Sequence, residues 1–237
     1  MANKHFGNAG DVFKHLMLGE LLRSVNVGSY LETHAGSAYY PLTEEPDRRL
    51  GWRQFRRQID QFRYGAYGSL LLRSEQLGIY PGSALLSMRE LPDAELYLFD
   101  TDPKSIVSLQ TAALAHRQTR CILADGLAGA LDTMAGLTFI DPFHPADGDP
   151  DSITVFQTLA EQDKPVVFWY PLLEPGQSAP TDAHENIYEV RFAEEHAEGL
   201  AGCGLLTANL GRLGDIAEVS MHQAYTAFIS GWQEYLC

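Results

Sequence analysis

Residues 95–102 read ELYLFDTD, a short apolar run closing on acids, and the pattern returns in RCILAD (120–125) and GLTFID (136–141). Each is strand-length, rich in β-branched, aromatic or leucine side chains, and ends on a carboxylate. Helix-like segments follow at 103–117, 126–134 and 151–163, and another apolar run, PVVFWYP, occupies 165–171. Strands alternating with helices predict an α/β chain built on a mainly parallel, doubly wound sheet. In such sheets ligands collect at the carboxyl ends of the strands, where loops and helix N-termini converge. Asp100, Asp125 and Asp141 all fall there. The stretch FIDPFH (139–144) passes straight from a strand into Asp141-Pro142. By composition alone these acids read equally as turn residues and helix N-caps.

Upstream, SYLETH (29–34) is the first strand candidate, and the small residues of AGSAYYP after it let backbone approach a ligand closely. GDVFKHLMLGELLRSV (10–25) reads as an opening helix, with Asp11 placed to cap it and Leu16, Leu18, Leu21 and Leu22 supplying apolar surface. In LGWRQFRRQIDQFRYG (50–65), Trp52, Phe55, Ile59 and Phe62 recur at spacings of three and four. That spacing predicts one helix with an apolar stripe and arginines opposite. Two late runs, GLLTANL (204–210) and AYTAFIS (224–230), are expected to form an antiparallel edge. The acidic HENIYEVRFAEEHAEG (184–199) is expected to be a solvated face, and His222 a structural residue. FWYP (168–171) fits a buried strand, or the border of a base pocket.

The chain has 237 residues, 45% hydrophobic and 20% charged, enough for one substantial core, and a single domain over 1–237 is expected. No apolar run approaches the roughly 18 residues of a membrane span, and MANKHFGNAG lacks a signal-peptide core. A cytoplasmic protein with no membrane partner is therefore expected. Cys121, Cys203 and Cys237 are widely separated and without CxxC spacing, so neither a disulfide framework nor a zinc cluster is indicated, and no metal is expected. A net charge of -14 disfavours nucleic acid at first sight. Yet Arg48, Arg49, Arg53, Arg56, Arg57, Arg63 and Arg73, seven of the 17 basic residues, lie within one short segment. From Cys121 onward Lys164, Arg191 and Arg212 face 18 acids. Because charges are screened over about 8 Å, the arginine segment can act locally whatever the distant acids carry.

Taken together, HFGNAGDVFKH, YLETHAGSAYY, YPGSALL, YLFDTDP, LADGL, FIDPF and FWYPLL resemble, in order and over about three quarters of the chain, the RlmJ-type large-subunit ribosomal RNA adenine-N6 methyltransferases. That family is also labelled as involved in catabolism of external DNA. The resemblance implies a Rossmann-like class I methyltransferase fold with a small helical insertion after the first strand, here 43–78. It implies S-adenosylmethionine as cofactor and RNA, of the ribosomal class, as partner; a monomer is expected. Carried over position by position, it implies cofactor contacts from His15, His34, Ser83, Asp100, Asp125 and Gly126, and catalysis by Asp141. In that reading Asp100, a Glu in the family, accepts from ribose hydroxyls and Asp125 from the adenine amine, Gly126 allows close approach, and Lys14 helps hold the methionine carboxylate.

Methylation of an adenine amine asks the protein to hold an extruded base and accept hydrogen bonds from its NH2. Asp141 and the Pro142 carbonyl supply acceptors, and an aromatic ring stacks on the base. The family motif is Asp-Pro-Pro-Tyr. Here it reads Asp141-Pro142-Phe143-His144, so Phe143 or His144 takes the stacking role, and a family tyrosine near the N-terminus has no counterpart. Arg49, Arg53 and Arg57, spaced by four, are expected to share an outward face that grips nucleic acid. Two alternatives stay open. One is a cofactor-binding relative without turnover; the other is a metal-dependent phosphodiesterase using Asp141, His144, Asp147, Asp149 and Asp151.

Overall fold

The computed structural model describes residues 6–42, 49–142, 150–193 and 200–237. A seven-stranded sheet forms the centre. Its strands are β1 (Ser29–Glu32), β4 (Glu95–Asp100), β5 (Thr119–Leu123), β6 (Leu137–Ile140), β7 (Val166–Leu172), β8 (Asn186–Arg191) and β9 (Gly202–Ala208). Their spatial order is β5-β4-β1-β6-β7-β9-β8. The first five are parallel, with Tyr30 of β1 in register with Leu96 on one side and Leu137 on the other. β9 runs antiparallel between β7 and β8. The chain winds outward from β1 in both directions, which makes the β1/β6 boundary the topological switch point.

The sheet separates two apolar cores. On one face pack α1 (Ala9–Ser24), α5 (Ser83–Glu90), α6 (Pro103–Ala113) and α9 (Asp215–Trp232). On the other pack α7 (Gly126–Asp132) and α8 (Pro150–Glu161). α1 is buried on nearly every side, because α9, α5 and β9 surround it together with α4 (Ala66–Glu75). Such a helix needs apolar residues all round rather than along one stripe. Its N-cap is Asn8, whose Oδ1 accepts from the Asp11 N–H at 2.9 Å; Asp11 in turn accepts from the Gly7 N–H at 2.8 Å. Asp11 therefore braces the cap from within the first turn instead of being the cap itself.

The insertion sits on a two-stranded ribbon of β2 (Tyr39–Pro41) and β3 (Ile79–Pro81), which pair antiparallel. Between them come α2 (Trp52–Arg57), α3 (Ile59–Phe62) and α4. The single helix expected over 50–65 is thus two, broken at Gln58, whose φ of −106° and ψ of 13° leave the helical region. The stripe survives the break. Phe55, Ile59 and Phe62 are buried, and Phe55 and Phe62 each lie 6.3 Å from the Trp232 ring of α9.

Two expectations fail. AYTAFIS lies inside α9, where Ala217, Met221, Ala224 and Phe228 form a buried stripe at helical spacing. The short window containing AYTAFIS does not show that period. The antiparallel edge comes instead from β8, within the acidic stretch: Tyr188 and Val190 point inward while Ile187 and Glu189 alternate outward. Residues 194–199 of that stretch fall outside the described residues.

Candidate active site

A cavity of about 690 Å³ opens at the carboxyl ends of β1, β4, β5 and β6. It is bounded by Asp11, Lys14 and His15 from α1, by His34 and Gly36 after β1, and by Ser83 at the start of α5. Asp100, Asp125, Gly126, Asp141, Pro142 and Trp169 complete the wall. All seven cofactor and catalytic candidates carried over by resemblance therefore border one space.

Its most charged corner is a buried triad. Lys14 Nζ lies 2.9 Å from Asp11 Oδ1 and 2.7 Å from Asp141 Oδ2, and 5.2 Å from the centre of the Trp169 ring. Burial works against the ammonium, but the two carboxylates overcome it and hold the Lys14 pKa above its ordinary value. Burial also pushes the Asp141 carboxyl up, opposed by Lys14. Removing Lys14 would leave both carboxylates without their cation. Trp169 is 8% exposed yet lines the cavity, so it is at once core and site.

Asp100 at the end of β4 is fixed by backbone: Oδ2 accepts from Gly36 N at 2.9 Å and Oδ1 from Asp102 N at 2.7 Å. Each oxygen keeps a second lone pair for a ligand donor. Asp125 is the N-cap of α7, accepting from Leu127 N at 2.8 Å, and remains exposed at the rim. Its capping role and a ligand role coexist for the same reason. Gly126 borders the cavity and also has a packing duty. A Cβ there would overlap the Thr33 carbonyl, so the close approach is between α7 and the loop after β1.

Ser83 is the first residue of α5, with Gly82 as N-cap, and its hydroxyl donates to Glu32 Oε1. Glu32 is fully buried, also accepts from Tyr30 at 3.3 Å, and has its pKa raised to about 8 by burial, reinforced by Asp141. His34 Nδ1 lies 2.8 Å from Thr33 Oγ1. His15 Nδ1 lies 3.0 Å from the Tyr80 hydroxyl, which accepts from Tyr67 at 3.0 Å. Burial lowers the His15 pKa to about 4, so the ring is neutral near pH 7.

Glu32, Tyr80 and Tyr67 were not singled out from sequence. Glu32 shares the strand-terminal acid signal of the other three. The tyrosines carry none, since only the folded chain brings them to α1. Phe143, His144, Asp147 and Asp149 lie outside the described residues. Among the described residues no group of three or more His, Cys, Asp or Glu is placed to hold a metal ion, and no helix is long and apolar enough to cross a membrane.

Arg49 precedes α2 and is exposed, Arg53 is half-buried and Arg57 is exposed at the end of α2, so the three do not share one helical face. Arg56 pairs with Glu75 at 2.8 Å.

A parallel sheet wound in this order, an antiparallel edge from β9 and β8, and a cavity over the switch point define the class I methyltransferase fold. No protein-family model matches the chain. It is 29% identical over 193 residues to the ribosomal RNA large subunit methyltransferase J of Escherichia coli (strain K12), covering 71% of this chain and 68% of that one. Protein LPL1258 from Legionella pneumophila str. Philadelphia 1, of family model DUF519, shares the fold at a TM-score of 0.71 and 22% identity, over 94% of each chain. The chain is thus similar in sequence to an RlmJ-type methyltransferase and shares its fold with the Legionella protein.

Proposed function

We propose that the cavity binds S-adenosylmethionine and that the chain methylates the exocyclic amine of an adenine in ribosomal RNA. The observation that carries this reading is the placement of Asp141, held by Lys14 at the end of β6, in the same cavity as the acceptors Asp100 and Asp125. The wall suits the cofactor: acceptors for ribose hydroxyls and the adenine amine lie on the β4/β5 side, and Lys14 and His15 lie on the α1 side for a carboxylate. When bound, S-adenosylmethionine would supply the methyl group, as a sulfonium, that the amine nitrogen takes in exchange for a proton.

The chain's own part is positioning. Asp141 and the Pro142 carbonyl accept the two N–H bonds of the amine and orient its lone pair. Lys14 opposes the upward pull of burial on the Asp141 carboxyl and so favours the form that acts as acceptor. The test is transfer of labelled methyl from S-adenosylmethionine to protein-free large-subunit RNA, lost in Asp141→Ala while affinity for S-adenosylhomocysteine persists. Because the motif departs from Asp-Pro-Pro-Tyr at residues 143 and 144, a second reading is a cofactor-binding relative without turnover. Binding of S-adenosylhomocysteine with no transfer by either the parent or His144→Tyr supports that one.

A further inference from the structure

Tyr67, Tyr80 and His15 form a buried chain that ends at the cavity wall. Tyr67 and Tyr80 are 1% and 0% exposed, and His15 is 3% exposed. Tyr67 is on α4 of the insertion, Tyr80 on β3 and His15 on α1, so the chain ties the insertion to the site. A phenol has one proton, and a neutral imidazole has one donor and one acceptor nitrogen. Tyr67 donates to the Tyr80 oxygen, which directs the Tyr80 proton toward His15 Nδ1. In the reverse order His15 Nδ1–H donates to Tyr80 and Tyr80 to Tyr67. The Tyr67 proton then has no acceptor among the described residues, and a buried unsatisfied hydroxyl is costly. The first arrangement uses every proton and leaves the His15 proton on Nε2.

We propose that Tyr80, backed by Tyr67, is a positioning residue that fixes His15 as the Nε2–H tautomer, so that the imidazole offers a hydrogen-bond donor to the carboxylate end of the cofactor. This rests on the cofactor reading above. Nitrogen donors of the cavity stand on α1, where Asp11 and Asp141 also flank Lys14. His15 and the Lys14 ammonium stand on the α1 side, whereas Asp100 and Asp125 stand across from them at the ends of β4 and β5. A lone pair on Nε2 would face the carboxylate with like polarity; a proton there matches it. The groups facing His15 electrostatically are Asp11 and Lys14; burial, aided by Lys14, outweighs Asp11 in keeping the ring neutral, so the tautomer rather than the charge is what the tyrosines select.

Nitrogen NMR of histidine-labelled protein, with the His15 signals assigned by their loss in His15→Gln, reads the tautomer without any ligand. The expected pattern is a protonated Nε2 and an unprotonated Nδ1 in the parent, giving way to a tautomer mixture in Tyr80→Phe. Calorimetry then separates the two ideas. If the parent does not bind S-adenosylhomocysteine, the cofactor reading fails while the tautomer result still stands or falls by itself. If it binds, Tyr80→Phe should weaken S-adenosylhomocysteine by about tenfold, as expected for one lost hydrogen bond. The same change should leave 5′-methylthioadenosine, which lacks the amino-acid end, unaffected. A protonated Nδ1 in the parent overturns the proposal even if Tyr80→Phe does not fold. So does a Tyr80→Phe protein with parental affinity for both ligands.

Discussion

Lys14 Nζ lies 2.7 Å from Asp141 Oδ2, joining residues 127 positions apart. The pair is buried, and the same ammonium holds Asp11. Lys14→Met should therefore strip both carboxylates of their partner and lower unfolding free energy by about 3–5 kcal/mol. Urea denaturation at pH 7 measures it. A change within experimental error would mean the carboxylates are solvated in solution.

Asp100 is held by two backbone N–H groups with lone pairs to spare. Asp100→Ala should weaken S-adenosylhomocysteine by about 1.5–3 kcal/mol, the range for a hydrogen bond to a charged group, or on the order of ten- to a hundredfold by titration calorimetry. Equal affinity in the variant would remove Asp100 from the ligand contacts.

Glu32 gives the site a pH signature. Its folded pKa, about 8, exceeds the ordinary 4.5, so the neutral form is favoured by folding. The stability it contributes is complete below pH 4.5 and is lost as pH rises toward 8. Glu32→Gln keeps the shape and removes the titration. Its stability relative to the parent should grow between pH 5 and pH 8. A constant difference across that interval would show that Glu32 is ionised in the folded protein.

The arginines of the insertion are proposed as the nucleic-acid grip. Replacing Arg49, Arg53 and Arg57 with Gln should reduce the slope of log affinity against log salt by about 0.7 per lost contact for single-stranded RNA, and about 0.9 for a duplex. Filter binding across a salt series reads it. An unaltered slope would assign these side chains to the protein's own surface.

The parallel half of the fold was legible because its strands are short apolar runs, four of the five closing on an acid, and the crossovers carry helical spacing. The antiparallel edge was not. β8 is only half-buried and lies within an acidic stretch, so composition resembled a solvated surface, while α9 contains a window too short to reveal its period. Similarly, Asp100, Asp125 and Asp141 could be placed at the cavity because strand ends converge by topology. The Glu32–Ser83 and Tyr80–His15 contacts depend on how the insertion and α5 lie over α1, which no local pattern encodes. Gly126 shows the opposite limit: the need for a small residue was legible, but not whether ligand or backbone required it.

The Trp232 indole donates to the Leu50 carbonyl at 2.7 Å, across 182 positions, and its ring stacks on Phe228 at 4.3 Å. Loops of that span are slow to close, and a chain emerging vectorially cannot make this contact until Trp232 has been synthesised. Phe55 and Phe62 thus wait for the C-terminal helix before their pocket is complete. The arginine-bearing lobe should be the last part of a nascent chain to gain protection from protease, after the sheet that carries Asp100 and Asp141 has already consolidated.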